Sequence, residues 1–268
     1  MEGYATSVKQ RWAKKNEGQH FLIDKSIADI EAKYADGMVV LEMGAGMGIL
    51  TEALCKTAKH VIAVEKDKGL FERLQYTLTA KNLTLLNKDF FDLDAKEIGK
   101  AQIMVSNIPY KLSSKVIFWL GEKRMSAVLC IQKEFAEHMT ASPGTKSYSR
   151  LSVESGLRFK VYRVREVPPT CFHPRPHVDS EIIYIVPNNI EIDKEVDRII
   201  TMLITHKKKT LRKALIDSSR TLGMEKQVLS GIASELKDSR IRPFHMEPTA
   251  LLEVAESVAE KMKSRVRA

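Results

Sequence analysis

The sequence predicts an α/β fold, a mostly parallel sheet covered by helices, followed by a small all-helical domain. Three observations point there. Apolar runs of strand length recur between stretches of helical periodicity, the alternation continues to about residue 189, and from about Asp193 onward only helical periodicity remains. Strands joined by helix-length crossovers run parallel and are buried on both sides, so they read as unbroken apolar runs.

The elements follow in order. M-V-V-L-E-M (38–43), H-V-I-A-V-E (60–65), L-T-L-L-N (83–87), Q-I-M-V-S-N (102–107) and M-S-A-V-L-C-I-Q (125–132) read as buried strands. Ile49–Thr57 and Lys68–Lys81 read as crossover helices. Phe159–Val167 and Glu181–Val186 flank the proline-rich P-P-T-C-F-H-P-R-P-H and suit an antiparallel pair at one sheet edge. Later, V-D-R-I-I-T-M-L-I-T and T-A-L-L-E-V-A-E-S-V-A-E-K-M are helical, with Thr249 placed to cap the last helix. The expected domains are residues 1–189 and 190–268.

Composition narrows the function. The 268 residues are 44% hydrophobic and 29% charged, as in a globular protein. A net charge of +9 and a pI near 9.3 favour a polyanionic partner, most simply nucleic acid. Cys55, Cys130 and Cys171 are far apart, which argues against a zinc site or disulfide framework and for a reducing cytoplasm; the last two read as buried thiols. No apolar run reaches the ~20 residues that span a bilayer, and the first residues lack a signal-peptide pattern. There is no internal repeat or low-complexity segment.

The chemistry gathers at the ends of the predicted strands. L-E-M-G-A-G-M-G-I-L-T follows the first, where Gly44, Gly46 and Gly48 permit a sharp turn and close approach of a ligand. The spacing is G-x-G-x-G rather than the dinucleotide G-x-G-x-x-G, and a purely structural turn would carry the same glycines. Glu65 ends the second strand nineteen residues after Gly46, where an acid can take both hydroxyls of a ribose or simply be solvated. Asp89 ends the third, suited to an adenine amine or to capping a helix. N-I-P-Y ends the fourth: Asn107 offers a carboxamide, Ile108 a carbonyl directed by Pro109, and Tyr110 a ring for stacking, although any Asn-x-Pro also makes a turn. Taken together the strand ends suit a planar substrate with an exocyclic amine, because open parallel sheets bind ligands at their carboxyl edge.

With these motifs the sequence resembles the class I S-adenosylmethionine-dependent methyltransferases, and more narrowly the KsgA-type family of small-subunit rRNA adenine dimethyltransferases, its archaeal branch in particular. The resemblance runs along the whole chain, through G-Q-H-F-L (18–22), L-E-M-G-A-G-M-G-I-L-T (41–51), V-I-A-V-E-K-D (61–67), N-K-D-F-F (87–91), V-S-N-I-P-Y (105–110), I-Q-K-E-F-A-E-H-M (131–139), P-G-T-K-S-Y-S-R-L-S-V (143–153) and F-H-P-R-P-H-V-D-S (172–180). It implies a Rossmann-like seven-stranded sheet with helices on both faces, S-adenosyl-L-methionine as cofactor, and dimethylation of the exocyclic amine of adenosines, two adjacent ones near the 3′ end of small-subunit rRNA. It further implies a pre-ribosomal particle as partner, a monomeric cytoplasmic enzyme, and neither membrane nor metal. Gln19, His20 and Leu22 would close over the cofactor, Gly44 and Gly46 would cradle it, and Glu65 and Asp89 would take its ribose and adenine. Asn107, Ile108, Pro109 and Tyr110 would hold the target base, with Phe172 over its other face or packed in the core. Ser149 and His138 stand where the family usually has glycine and arginine. A large-subunit relative of the macrolide-resistance type shares several motifs, but P-G-T-K-S-Y-S-R-L-S-V favours the small-subunit group. A non-catalytic RNA-binding assembly factor is the rival from another class, against which the intact Glu65, Asp89 and N-I-P-Y speak.

Two basic clusters complete the reading. Lys9, Arg11, Lys14 and Lys15 precede Q-H-F-L, and Lys207, Lys208, Lys209, Arg212 and Lys213 open the helical domain. Each could grip RNA phosphates or form a solvated face. His173 and His177 lack acidic or cysteine partners at ligand spacing and read as loop residues or RNA contacts; Met43 and Met47 read as packing.

Overall fold

The computed structural model describes residues 19–266. Seven strands form one sheet in the order β4-β3-β2-β5-β6-β9-β7, where β2 is Val39–Met43, β3 His60–Val64, β4 Leu83–Leu86, β5 Ile103–Asn107, β6 Ser126–Gln132, β7 Phe159–Val167 and β9 Ser180–Pro187. Strands β2 to β6 pair in parallel, with Val40 beside both Val61 and Ile103. Strand β9 returns antiparallel to β6, Leu129 opposite Ile183. The central strands are largely apolar because both faces are covered: Val40, Leu41, Val61, Ala63, Met104, Val105 and Leu129 are all fully buried, with Glu42 and Ser106 the buried polar exceptions in β2 and β5. Parallel pairing brings Met43, Val64, Leu86 and Asn107 to one carboxyl edge.

A second, two-stranded sheet ties distant motifs together. β1 (Phe21–Leu22) pairs antiparallel with β8 (Phe172–His173), placing Leu22 opposite Phe172, and Ile23 N–H donates to the Cys171 carbonyl at 2.8 Å. Helix α1 (Lys25–Ala32) starts immediately afterwards, capped by Asp24, which accepts from Ser26 N–H at 2.9 Å. Helix α2 (Ile49–Thr57) starts at the glycine loop, with Gly48 in the left-handed region at φ 86° as its cap. A Cβ at Gly48 would lie 2.7 Å from Leu74 Cδ2. Gly48→Ala is therefore expected to cost about 1–3 kcal/mol, from the backbone conformation and the displaced leucine together; urea unfolding would measure it.

The chain divides into two compact units, and the division is not one cut near residue 189. Residues up to Ala136 belong with Val161–Pro187, while Glu137–Lys160 belongs with the chain from Asn188 onward. The core of the second unit shows why. Tyr148, Val153 and Leu157 pack with Ile199, Leu203, Leu215, Leu251 and Val258, and the Tyr148 hydroxyl donates to the Met246 carbonyl at 2.6 Å. Arg158 donates to Glu154 at 2.9 Å and to Asp197 at 2.8 Å, linking the two segments of that unit. Its longest helix begins at Pro248, so Thr249 lies inside the first turn rather than capping it.

Among the described residues, no helix is long and apolar enough to cross a membrane, and no group of three or more His, Cys, Asp or Glu could hold a metal ion. Cys130 and Cys171 are buried free thiols.

Candidate active site

Four strand ends and the segment before α1 enclose a cavity of about 560 Å³. Gln19, His20, Leu22, Gly44, Gly46, Glu65, Asp89 and Asn107 all line it, so eight of the residues singled out in the sequence converge on one space. The loop is held by backbone bonds, with Gly44 and Ala45 N–H both donating to the Val64 carbonyl. Gly46 has φ 56°, and a Cβ there would sit 3.1 Å from the Phe21 ring. Glycine thus lets β1 lie directly over the loop. Ile49 and Leu50, the first residues of α2, also line the cavity, which brings a helix N-terminus to its wall.

The acids differ in their surroundings. Glu65 is 6% exposed, and burial pushes its carboxyl up while the N–H groups of Asp67 and Gly46, each 2.8 Å from one of its oxygens, hold it down. The Lys66 backbone N–H also bonds it, so of the roughly four lone-pair sites of a carboxylate one is left to offer. Asp89 is held below the ordinary carboxylate range by Lys66, which donates at 2.8 Å, and by Phe91 N–H at 3.0 Å. It also caps the short 3₁₀ turn Phe90–Asp92, as the capping reading of Asp89 expects.

At the end of β5, Asn107 Nδ2 donates to Glu31 Oε2 at 3.1 Å, whereas Asn107 Oδ1 is buried and has no partner among the described residues. Asn107, Ile108, Pro109, Tyr110 and Phe172 line a small recess with His20 and Cys130. Its volume is about 10 Å³, hardly a water molecule, so nothing larger enters unless these side chains part. Tyr110 shares a hydrogen bond with Ser180 Oγ at 2.7 Å, and its ring lies 5.7 Å from that of His20. His20 Nδ1–H donates to the Pro174 carbonyl at 2.6 Å. Phe172 is 5% exposed and belongs to the core cluster as well as to the recess.

Sequence reasoning missed several lining residues. Lys66, Lys88, Lys111 and Lys115 line the cavity. Lys111 and Lys115 are exposed and lie four residues apart after N-I-P-Y, a spacing that puts both on one side of a helical turn and was legible. Met43 and Met47, read as packing, line the wall too. Glu42 lines the cavity and Glu31 touches Asn107; nothing in their sequence context marked either.

The basic cluster lies in the second unit and is partly engaged there. Lys207 donates to the Tyr148 carbonyl and lies 5.4 Å over the Phe244 ring, Lys209 pairs with Asp217 at 2.6 Å, and Arg212 donates to Ser230 at 3.0 Å. Lys208 and Lys213 are exposed. Lys9, Arg11, Lys14 and Lys15 fall outside the described residues.

A parallel sheet with one reversed strand, a glycine turn and an acid at successive carboxyl ends, and N-I-P-Y at the fourth defines a class I methyltransferase. Residues 11–246 match the family model described as ribosomal RNA adenine dimethylase, and the chain belongs to that family. It is 37% identical over 252 residues to a probable ribosomal RNA small subunit methyltransferase A of Methanosphaera stadtmanae, covering 90% of this chain and 91% of that one. A protein of the same description from Pyrococcus abyssi is 36% identical over 248 residues, 91% of each. Among solved structures, a dimethyladenosine transferase from Plasmodium falciparum superposes with a TM-score of 0.76 at 28% identity, covering 91% of this chain and 98% of that one. The 23S rRNA methyltransferase ErmE shares the fold, with a TM-score of 0.64 at 23% identity over 89% of this chain and 99% of its own. The chain is accordingly an rRNA adenine dimethyltransferase.

Proposed function

We propose that the chain uses S-adenosyl-L-methionine to dimethylate the exocyclic amine of small-subunit rRNA adenosines, two adjacent ones near the 3′ end, within a cytoplasmic pre-ribosomal particle and as a monomer. The observation that carries the chemistry is Asn107 Oδ1, a buried acceptor with no partner among the described residues, in a residue shared by the large cavity and the recess. Its small-subunit target is supported by the archaeal relatives' descriptions.

The cavity fits such a cofactor: two acids with acceptor capacity to spare, a glycine turn closed by Phe21, and enough volume for a nucleoside with its amino-acid tail. Gln19, His20, Leu22, Gly44 and Gly46 would enclose it, with Glu65 at the ribose and Asp89 at the adenine. Bound there, it supplies an electrophilic methyl on a sulfonium. Glu65→Ala is expected to weaken its binding about 10–100-fold, the worth of lost hydrogen bonds to a charged group; calorimetric titration would measure this, with the melting temperature followed beside it because the Gly46 and Asp67 N–H groups lose their acceptor.

The target nitrogen is a poor nucleophile because its lone pair is delocalised into the ring. Asn107 Oδ1 and the Ile108 carbonyl would accept its two hydrogens and draw the nitrogen toward tetrahedral geometry, which localises the lone pair and aims it at the methyl, with Tyr110 and Phe172 holding the base between them. The amine sheds one N–H proton for each methyl it gains. This is catalysis by positioning and electrostatics, without a covalent intermediate or a strong base, and the base must leave its stack to reach it. The exposed Lys208, Arg212 and Lys213, with Lys207 and Lys209, would contact phosphates.

The test is transfer of labelled methyl to unmodified small subunits, with mature small subunits and large subunits as controls, followed by mass spectrometry of digested rRNA. Dimethyladenosine in unmodified small subunits is the expected product. Label confined to large subunits, or monomethyladenosine alone, would overturn the reading.

A further inference from the structure

Glu31 is the anomaly of α1. It is fully buried among Ile27, Ala28 and Ala32 on a helix whose inward side is otherwise apolar. Oε2 accepts from Asn107 Nδ2 at 3.1 Å, and Oε1 has no partner among the described residues. A carboxyl group kept in such a place is costly unless it does something an apolar side chain could not.

The carboxamide of Asn107 has two chemically opposite ends of nearly the same shape. With Nδ2 turned toward the substrate it would meet the adenine amine donor to donor. With Oδ1 turned there it accepts. The neighbour on the other side decides which holds. We infer that Glu31 is a positioning residue for methyl transfer: its carboxylate takes the Nδ2–H of Asn107 and so leaves Oδ1 as the end available to the adenine amine. The inference rests on the role proposed above for Asn107.

An ionised carboxylate can only accept, so it enforces this orientation, whereas a protonated one can donate to Oδ1 and permits the reverse. The proton on Glu31 therefore becomes a switch. Burial raises its carboxyl to about 8, the Asn107 N–H opposes this, and Glu42 adds to the rise. Around it stand Asn107 from β5, Glu42 from β2 and Cys130 from β6; the Cys130 thiol is pushed well above its ordinary range and stays neutral. Glu42 is itself raised to about 8, chiefly by burial with the Glu65 charge adding, so Glu31 and Glu42 ionise over the same range. Turnover should rise with pH as Glu31 ionises.

The experiment measures single-turnover methylation at saturating cofactor and RNA from pH 6 to 9.5, in wild type and in the isosteric Glu31→Gln. Wild type is expected to rise across that range. Glu31→Gln should lose the pH step and run about tenfold slower at pH 9, the equivalent of one net hydrogen bond, with both KM values unchanged. A second readout needs no turnover: carboxyl ¹³C titration should find Glu31 raised in wild type, and raised further in Asn107→Ala, where the opposing N–H is gone. Wild-type rate and pH profile in Glu31→Gln, or a Glu31 titration indifferent to Asn107→Ala, would overturn the inference. Undiminished turnover in Asn107→Ala would overturn the role of Asn107 itself, so the two failures are told apart.

Discussion

Asn107→Ala is expected to slow methyl transfer by about 10²–10³-fold, the loss that follows removal of one preorganised acceptor or donor from an active site. Asn107 Oδ1 is buried and has no partner among the described residues, so it need break no hydrogen bond of its own to accept one. The Ile108 carbonyl remains in the variant, which leaves a residual rate rather than none. On the role proposed above, in which Asn107 acts on the nitrogen during transfer, kcat should carry the effect and KM for RNA should hardly move. The substitution also leaves Glu31 without its donor, so the melting temperature must be followed beside the single-turnover rate. A variant that folds and turns over like wild type would remove Asn107 from the chemistry.

The second large effect is on stability. Glu31 and Glu42 are 0% and 1% exposed, and burial raises both to about 8 from an ordinary 4.5. Between those values the folded chain holds protons that the unfolded chain has released. Their contribution is therefore fully present below pH 4.5 and is lost as pH rises through about 8. For the pair the loss is on the order of 5 kcal/mol, after allowing for relaxation and water entry around buried carboxylates. Asp24 and Asp89, held low by their hydrogen bonds, act with the opposite sign and at more acid pH, outside this window. Urea unfolding at pH 5 and pH 8.5 should differ accordingly, and Glu31→Gln with Glu42→Gln should flatten the difference. Over the same range the ionisation of Glu31 would favour turnover, so activity and stability move in opposite directions.

Much of this was legible because the parallel strands are buried on both faces. V-V-L-E-M and I-M-V-S-N leave no alternative period, and once they pair in parallel the glycine turn, Glu65, Asp89 and Asn107 must share one edge. What could not be read depended on long-range partners. β1 and β8 have two residues each, too few for any periodic signal, yet their pairing brings Phe21 over Gly46. Glu31 looks in sequence like one more charged residue of an amphipathic helix, and only its distance to Asn107 distinguishes it. Lys207 stands in a run of lysines that reads as solvated, whereas its ammonium reaches a backbone carbonyl and an aromatic ring. The helix Arg150–Arg158 has the same periodicity as a crossover helix, and nothing local says that its apolar side belongs with residues after 188.

That last feature bears on how such a protein could be shortened. Tyr148 gives its hydroxyl to Met246 and its ring to a core completed by Leu203, Leu211 and Leu251. A gene ending at codon 189 would encode Tyr148, Val153 and Leu157 while discarding what covers them. The helical unit is thus no detachable tail. Its two lengths of chain must be kept or removed as one block.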